Sequence, residues 1–265
     1  MILSEITRYL ESHAPLEYQE SYDNSGLITG DPCMDITGAI VSLDATEAVV
    51  DEAISLGYNL IIAHHPIVFI GLKRFTGQNY VQRTIIKAIR HDIAIYAIHT
   101  NLDNVIIEGV NNKIAEKIGL RDCTALLPYE GQLINERPRG AGLTGLLENP
   151  VEWSVFLGDL KQKMQIGVIR YTHPVVERVQ KVAVCGGSGS FLLQQAIRSG
   201  ADVFITADFK YHEFFDANDR IMIADIGHYE SEQFTVELIK ELIIKKFSNF
   251  AVRSTKVITN PINYL

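Results

Sequence analysis

Cysteine is scarce in this chain: only Cys33, Cys123 and Cys185 are present, far apart. An odd, scattered set excludes a disulfide framework and a thiolate metal site. Cys185 precedes a glycine-rich turn, where it reads either as a nucleophile or as a buried strand-end thiol. Long apolar runs are missing too; none approaches the roughly twenty residues that a membrane helix needs. Basic residues never run longer than Lys245-Lys246, and the net charge is −8. A phosphate backbone repels that balance, so nucleic-acid binding is not expected, although a local basic rim could still hold one phosphate. The stretch Met1 to Leu10 has neither a basic start nor a cleavage site and reads as an amphipathic helix, which points to a cytoplasmic protein. Tryptophan occurs once, as Trp153, at a predicted helix start suited to core or interface packing.

With 265 residues, 47% of them apolar and 21% charged, the chain is long enough for a large core, and two α/β lobes are expected. Strand, helix and strand alternate for most of the length, which implies mostly parallel sheets. A strand at 38–43 runs into Asp44-Ala45-Thr46-Glu47, with Asp44 or Thr46 as the N-cap of a helix reaching Leu56. Further helices are predicted over 79–90, 108–118 and 150–163, the second stopped by Gly119. Residues 120–179 are irregular and rich in proline. The segment Glu52 to Ala63 also aligns with Gln195 to Thr206, matching Ala53, Ile54 and Gly57 with Ala196, Ile197 and Gly200. This is a structural repeat read from few identities. The lobes are expected over 1–100 plus 227–265 and over 101–226.

The densest chemistry lies in Asn59-Leu60-Ile61-Ile62-Ala63-His64-His65-Pro66. Four apolar residues read as a strand buried on both faces, and the proline ends it. Neighbouring strand residues point to opposite faces, so a core has no use for two consecutive imidazoles. At the C-terminal end of a strand in an α/β sheet, both can turn toward the crevice that binds ligands; the plain alternative is a pair of surface-loop histidines. Two further apolar strands, 93–98 and 221–226, each lead into a histidine with an acid four residues on: His99 with Asp103, and His228 with Glu232. On a helix this spacing puts both side chains on one face. Imidazole and carboxylate are the ligand set of zinc, iron, manganese and similar divalent ions. Four of the eight histidines fall at these three strand ends.

With those residues in view, the chain resembles the GTP cyclohydrolase 1 type 2 homologue family, also called the NIF-three-like family. The markers are Ser21-Tyr22-Asp23-Asn24-Ser25-Gly26-Leu27, Leu43-Asp44-Ala45-Thr46, Ala63-His64-His65-Pro66, His99-Thr100-Asn101-Leu102-Asp103, and Gly227-His228 with Glu232. The resemblance implies two α/β lobes with a dinuclear metal site in the cleft between them, a toroidal homohexamer, and no inserted middle domain of the kind longer members carry. It also implies two divalent cations held by His64, His65, Asp103, His228 and Glu232, with His99 close by. Related chains often have glycine after Thr206, where this one reads Ala207-Asp208-Phe209-Lys210.

Five ligands leave open positions on two cations, which suits a metal-dependent hydrolase acting on a nucleotide or related small metabolite. The other reading is a non-catalytic metal-binding scaffold or regulatory protein. His99 could shuttle protons as the catalytic residue, or hydrogen-bond a ligand. The turn Gly186-Gly187-Ser188-Gly189 could present amides to a phosphate or be a plain strand-to-helix turn. Lys210 to Glu213 could touch substrate or end a solvated helix, and Asp23 and Asn24 could shape the pocket or cap a helix.

Overall fold

The structure, a computed structural model, describes residues 1–131, 134 and 137–265. Packing divides the chain into one unit of Met1–Leu102 with Thr235–Pro261 and another of Asp103–Phe234 with Ile262–Leu265. The chain therefore crosses after Leu102, Phe234 and Pro261, where crossings after 100 and 226 were expected. His228 and Glu232 belong to the second unit because their helix packs on that unit's sheet.

In the first unit, strands β2 (Ala39–Ser42), β3 (Leu60–Ala63) and β4 (Ala94–Ala97) are parallel neighbours with every residue buried. Such strands need cover on both faces, which explains their unbroken apolar runs. Helices α2 (Glu47–Leu56) and α3 (Tyr80–Arg90) cover one face, with Val49, Val50, Ala53, Ile85 and Ala88 packed on Ile40, Ile61 and Ile95. Each fully buried side chain of this size contributes about 1.5–3 kcal/mol. Thr46 and Asn79 cap these helices by accepting from the Val49 and Gln82 amides at 3.3 and 2.9 Å. Helix α1 (Leu3–His13) buries Leu3, Ile6 and Leu10 along one stripe. Helix α9 (Thr235–Lys246) buries Leu238, Ile239, Leu242 and Ile243 and packs against β2. The antiparallel β1 (Gly26–Thr29) and the parallel β11 (Val252–Ser254) close the two sheet edges.

The second unit holds a mixed six-stranded sheet, ordered β5-β6-β8-β9-β10-β7. Strands β8 (Arg178–Ser188), β9 (Val203–Ala207) and β10 (Met222–Asp225) run parallel. Strands β5 (Arg121–Pro128), β6 (Gly140–Glu152) and β7 (Arg170–Tyr171) pair antiparallel, so mostly parallel pairing describes only the first sheet. The supposedly irregular middle is this β5-β6 ribbon. Its glycines mislead: at Gly140 a Cβ would strike the Leu127 carbonyl, and at Gly145 the Arg121 carbonyl and the Cys123 sulfur. Pro150 sits where the β6-β8 register shifts, a place where a strand tolerates proline. Helices α5 (Val110–Ile118), α6 (Trp153–Lys163) and α7 (Leu193–Ser199) complete the unit. Among the described residues, no helix is long and apolar enough to cross a membrane.

Candidate functional site

Strand register gathers the histidines of the first unit. Ser42, Ala63 and Ala97 are level across β2, β3 and β4. The ladder continues past β3, the His64 and His65 amides donating to the Ser42 and Leu43 carbonyls at 3.0 and 2.9 Å. Asp44, His65 and His99 thus each stand two residues beyond a level trio, and His64 one, so one sheet edge collects them. Each imidazole is held from outside. His64 Nδ1 lies 2.8 Å from the Ile98 carbonyl, His65 Nδ1 2.8 Å from Asp44 Oδ1, and His99 Nδ1 2.8 Å from Asp23 Oδ1. With Nδ1 engaged, Nε2 is the nitrogen each ring offers inward, and the three ligand atoms lie within 4.8 Å of one another. Phe69 stands edge-on to His99, ring centroids 5.8 Å apart.

The two outer carboxylates are themselves braced. Asp44 Oδ2 accepts from the Thr259 hydroxyl at 2.7 Å. Asp23 Oδ2 accepts from the Ser25 hydroxyl and from the amide and hydroxyl of Thr100, at 2.9, 3.0 and 2.5 Å. Burial opposes both charges, but it is outweighed by the hydrogen bond and charge of His99 on Asp23, and of His65 on Asp44. Both carboxyls are held below the usual range. Asp23 therefore caps the short helix α4 (Thr100–Asp103) and orients His99 at once.

In the second unit, α8 (His228–Glu232) opens directly on the candidate histidine and closes on the candidate acid. His228 Nδ1 meets Asp208 Oδ2 at 2.6 Å, and His228 Nε2 meets Glu232 Oε2 at 3.2 Å. Burial lowers the imidazole's affinity for a proton, but Asp208 and Glu232 more than reverse this and raise it to about 11. Asp208, bonded to His228, is held low despite burial. A positive charge is favoured between these acids, and a divalent cation can take the place of the Nε2 proton. Asp103, at the end of α4, brings a carboxylate oxygen within 4.8 Å of one from Glu232. The residue types and the outward anchoring of every ring fit a divalent metal ion.

The family comparison agrees with the motifs. The Duf34/NIF3 (NGG1p interacting factor 3) model matches residues 1–261. The chain belongs to the Duf34/NIF3 family. A Staphylococcus epidermidis protein named GTP cyclohydrolase 1 type 2 homolog is 29% identical over 368 aligned residues, with both chains covered in full. Because that alignment exceeds the 265 residues here, part of it has no counterpart in this chain. Among Duf34/NIF3 relatives of known structure, the Staphylococcus aureus protein SA1388 is 30% identical with a TM-score of 0.92, covering 100% of this chain and 99% of its own. A Bacillus cereus protein related to NIF3 is 26% identical with a TM-score of 0.90, at the same coverage.

Sequence reasoning read Asp44 as a cap and missed it as the partner of His65; it likewise missed Asp208 behind His228. The usable signal was an acid just past a neighbouring parallel strand. Asp208 has a φ of +61°, a conformation that aspartate tolerates better than most residues. Two of the four amides in the 186–189 turn are already engaged within the protein. The Gly186 amide donates to Asn111 Oδ1 and the Gly187 amide to Ser231 Oγ, both at 2.9 Å. Gly187 adopts a φ of +61°, which favours glycine, and a Cβ there would also meet Glu232 Oε1. Cys185 is buried, and burial with the Asp103 and Glu232 charges pushes its thiol up, the setting of a strand-end core thiol. Glu213 accepts from the Lys210 amide at 2.9 Å, starting the 3₁₀ turn Tyr211–Ala217.

Proposed function

We propose that the two ligand sets serve one dinuclear centre of divalent cations, which hydrolyses a nucleotide or a related phosphorylated or cyclic-amide metabolite. One observation carries the reading. All four histidines fix Nδ1 on an outer acceptor and turn Nε2 to the ligand side, as metal-ligating imidazoles do. Asp103 ends the helical turn that begins right after His99, a spacing that supports treating the sets as a single centre.

His64, His65, His228, Asp103 and Glu232 would hold the cations. Imidazole with carboxylate suits zinc, iron or manganese, and availability selects among them. When bound, such a pair acidifies water and stabilises negative charge developing on a substrate oxygen. Closed structural sites use about four protein ligands per ion, so this set keeps positions open to water and substrate. His99, held by Asp23, either adds a further imidazole ligand or takes and returns a proton near neutral pH. The relatives' name supports including a guanine nucleotide among the substrates to be tried. The family resemblance supports a homohexamer.

The test is metal analysis of the purified protein with a hydrolysis screen over nucleotides, phosphoesters and cyclic amides. Turnover is expected, falling at least tenfold in Glu232→Gln with the fold intact. Two bound cations without turnover on any class would leave a metal-binding scaffold. An absence of stoichiometric metal would remove the centre itself.

A further inference from the structure

Asp225, the last residue of β10, is 3% exposed and belongs to neither ligand set. Its carboxylate holds two chain segments at once. Oδ2 accepts from the Phe209 amide at 3.0 Å, and Oδ1 accepts from the Gly227 amide at 3.2 Å. Phe209 follows Asp208, and Gly227 precedes His228, so the two peptides tied here carry the two ends of the Asp208–His228 bond. Arg170, from the paired edge strand β7, donates to Asp225 Oδ2 and, at 3.2 Å, to the Phe209 carbonyl. Asp208 at φ +61° and Gly227 at φ +91° both have unusual backbones, which surrounding contacts must hold in place.

We propose that Asp225, clamped by Arg170, is a positioning residue that sets the geometry of the Asp208–His228 pair and thereby the cation affinity of His228. A carboxylate is required, because both donors and the guanidinium must be accepted on two oxygens. In Asp225→Asn one oxygen becomes an NH₂ group that opposes an amide N–H or the guanidinium. One of the two segments is then released. Mutating outer partners of metal-binding histidines typically lowers metal affinity about 10–100-fold.

The inference rests on the metal reading of His228, so the experiment has one arm with a cation and one without. In the first, Zn²⁺ affinity is measured by competition with a chromophoric chelator for wild type, Asp225→Asn, Arg170→Gln, Asp208→Ala and Asp208→Ala/Asp225→Asn. Asp225→Asn is expected to weaken binding at least tenfold, and Arg170→Gln, at a more exposed position, in the same direction. Adding Asp225→Asn to Asp208→Ala should cost little more, because both act on one bond. In the second arm, the downfield Nδ1-bound proton of His228 is followed by NMR in metal-free protein, identified by its loss in His228→Ala. Asp225→Asn and Arg170→Gln should broaden or remove it. A wild type that binds no Zn²⁺ overturns the metal reading, while the NMR arm still decides the clamp. An unchanged His228 proton in both variants, or full additivity with Asp208→Ala, overturns the clamp.

Discussion

An imidazole has two nitrogens, and the partner of one decides what the other can do. At His228 both partners are acids, which makes the metal-free protein sensitive to pH in a definite way. Asp208 is held below its ordinary 3.8, so its contribution to stability is complete above that value and fades as pH falls. His228 is raised from 6.5 to about 11, so its contribution is complete below 6.5 and is lost as pH climbs toward 11. Both are whole only between about pH 4 and 6.5. In chelator-treated protein, the stability margin of wild type over Asp208→Asn should be widest in that window, as urea melts at a series of pH values would record. A margin constant from pH 5 to 9 would contradict a shared imidazolium. A second residue-scale prediction concerns Gly187 and Gly200, at φ +61° and +73°. Alanine at either pays about 1–2 kcal/mol for left-handed backbone. Only at Gly187 does the new Cβ also collide with Glu232, whereas Gly200 faces open space. Gly187→Ala should therefore melt several degrees lower than Gly200→Ala, and equal melting temperatures would remove Glu232 from the explanation.

Elements were legible where a local cause sufficed. The strands leading into His64, His99 and His228 are buried on both faces, so their apolar runs need no partner to be recognised. Helices α2 and α3 carry their caps in the sequence, at Thr46 and Asn79. Thr46→Ala should cost about 1 kcal/mol in a thermal melt, and a loss below about 0.3 kcal/mol would mean the 3.3 Å cap bond is idle. Strand β6 was illegible because its glycines answer to β5 and Cys123, contacts made by other parts of the chain. Strand β11 was missed because three half-exposed edge residues carry no pattern. The outer acids were missed for the same non-local reason. Asp44 meets His65 only through the β2-β3 register, and Asp208 reaches His228 only through the β9-β10 register. The candidate ligands, in contrast, announced themselves by type and place.

At the scale of the molecule, each unit builds its ligand set with the same device: three adjacent parallel strands, the last followed by a histidine. The repeat alignment extended by two residues sets Asp208 opposite His65, so one position supplies an imidazole in one unit and, in the other, the acid that orients His228. Helices α2 and α7 both stop at a left-handed glycine, Gly57 and Gly200, before the next strand. Three crossings, after Leu102, Phe234 and Pro261, are the covalent links between the units. If one dinuclear centre draws on both sets, cation binding must stabilise both units together. At a free cation concentration about a hundredfold above Kd, linkage adds about 2.7 kcal/mol. Hydrogen exchange during a Zn²⁺ titration should then slow in peptides holding His64-His65 and in those holding His228 to Glu232 with a common midpoint. Glu232→Gln should weaken protection in both, although it alters only the second unit. Separate midpoints, with the first unit indifferent to Glu232→Gln, would mean two independent cation sites and would remove the basis for a shared reaction centre.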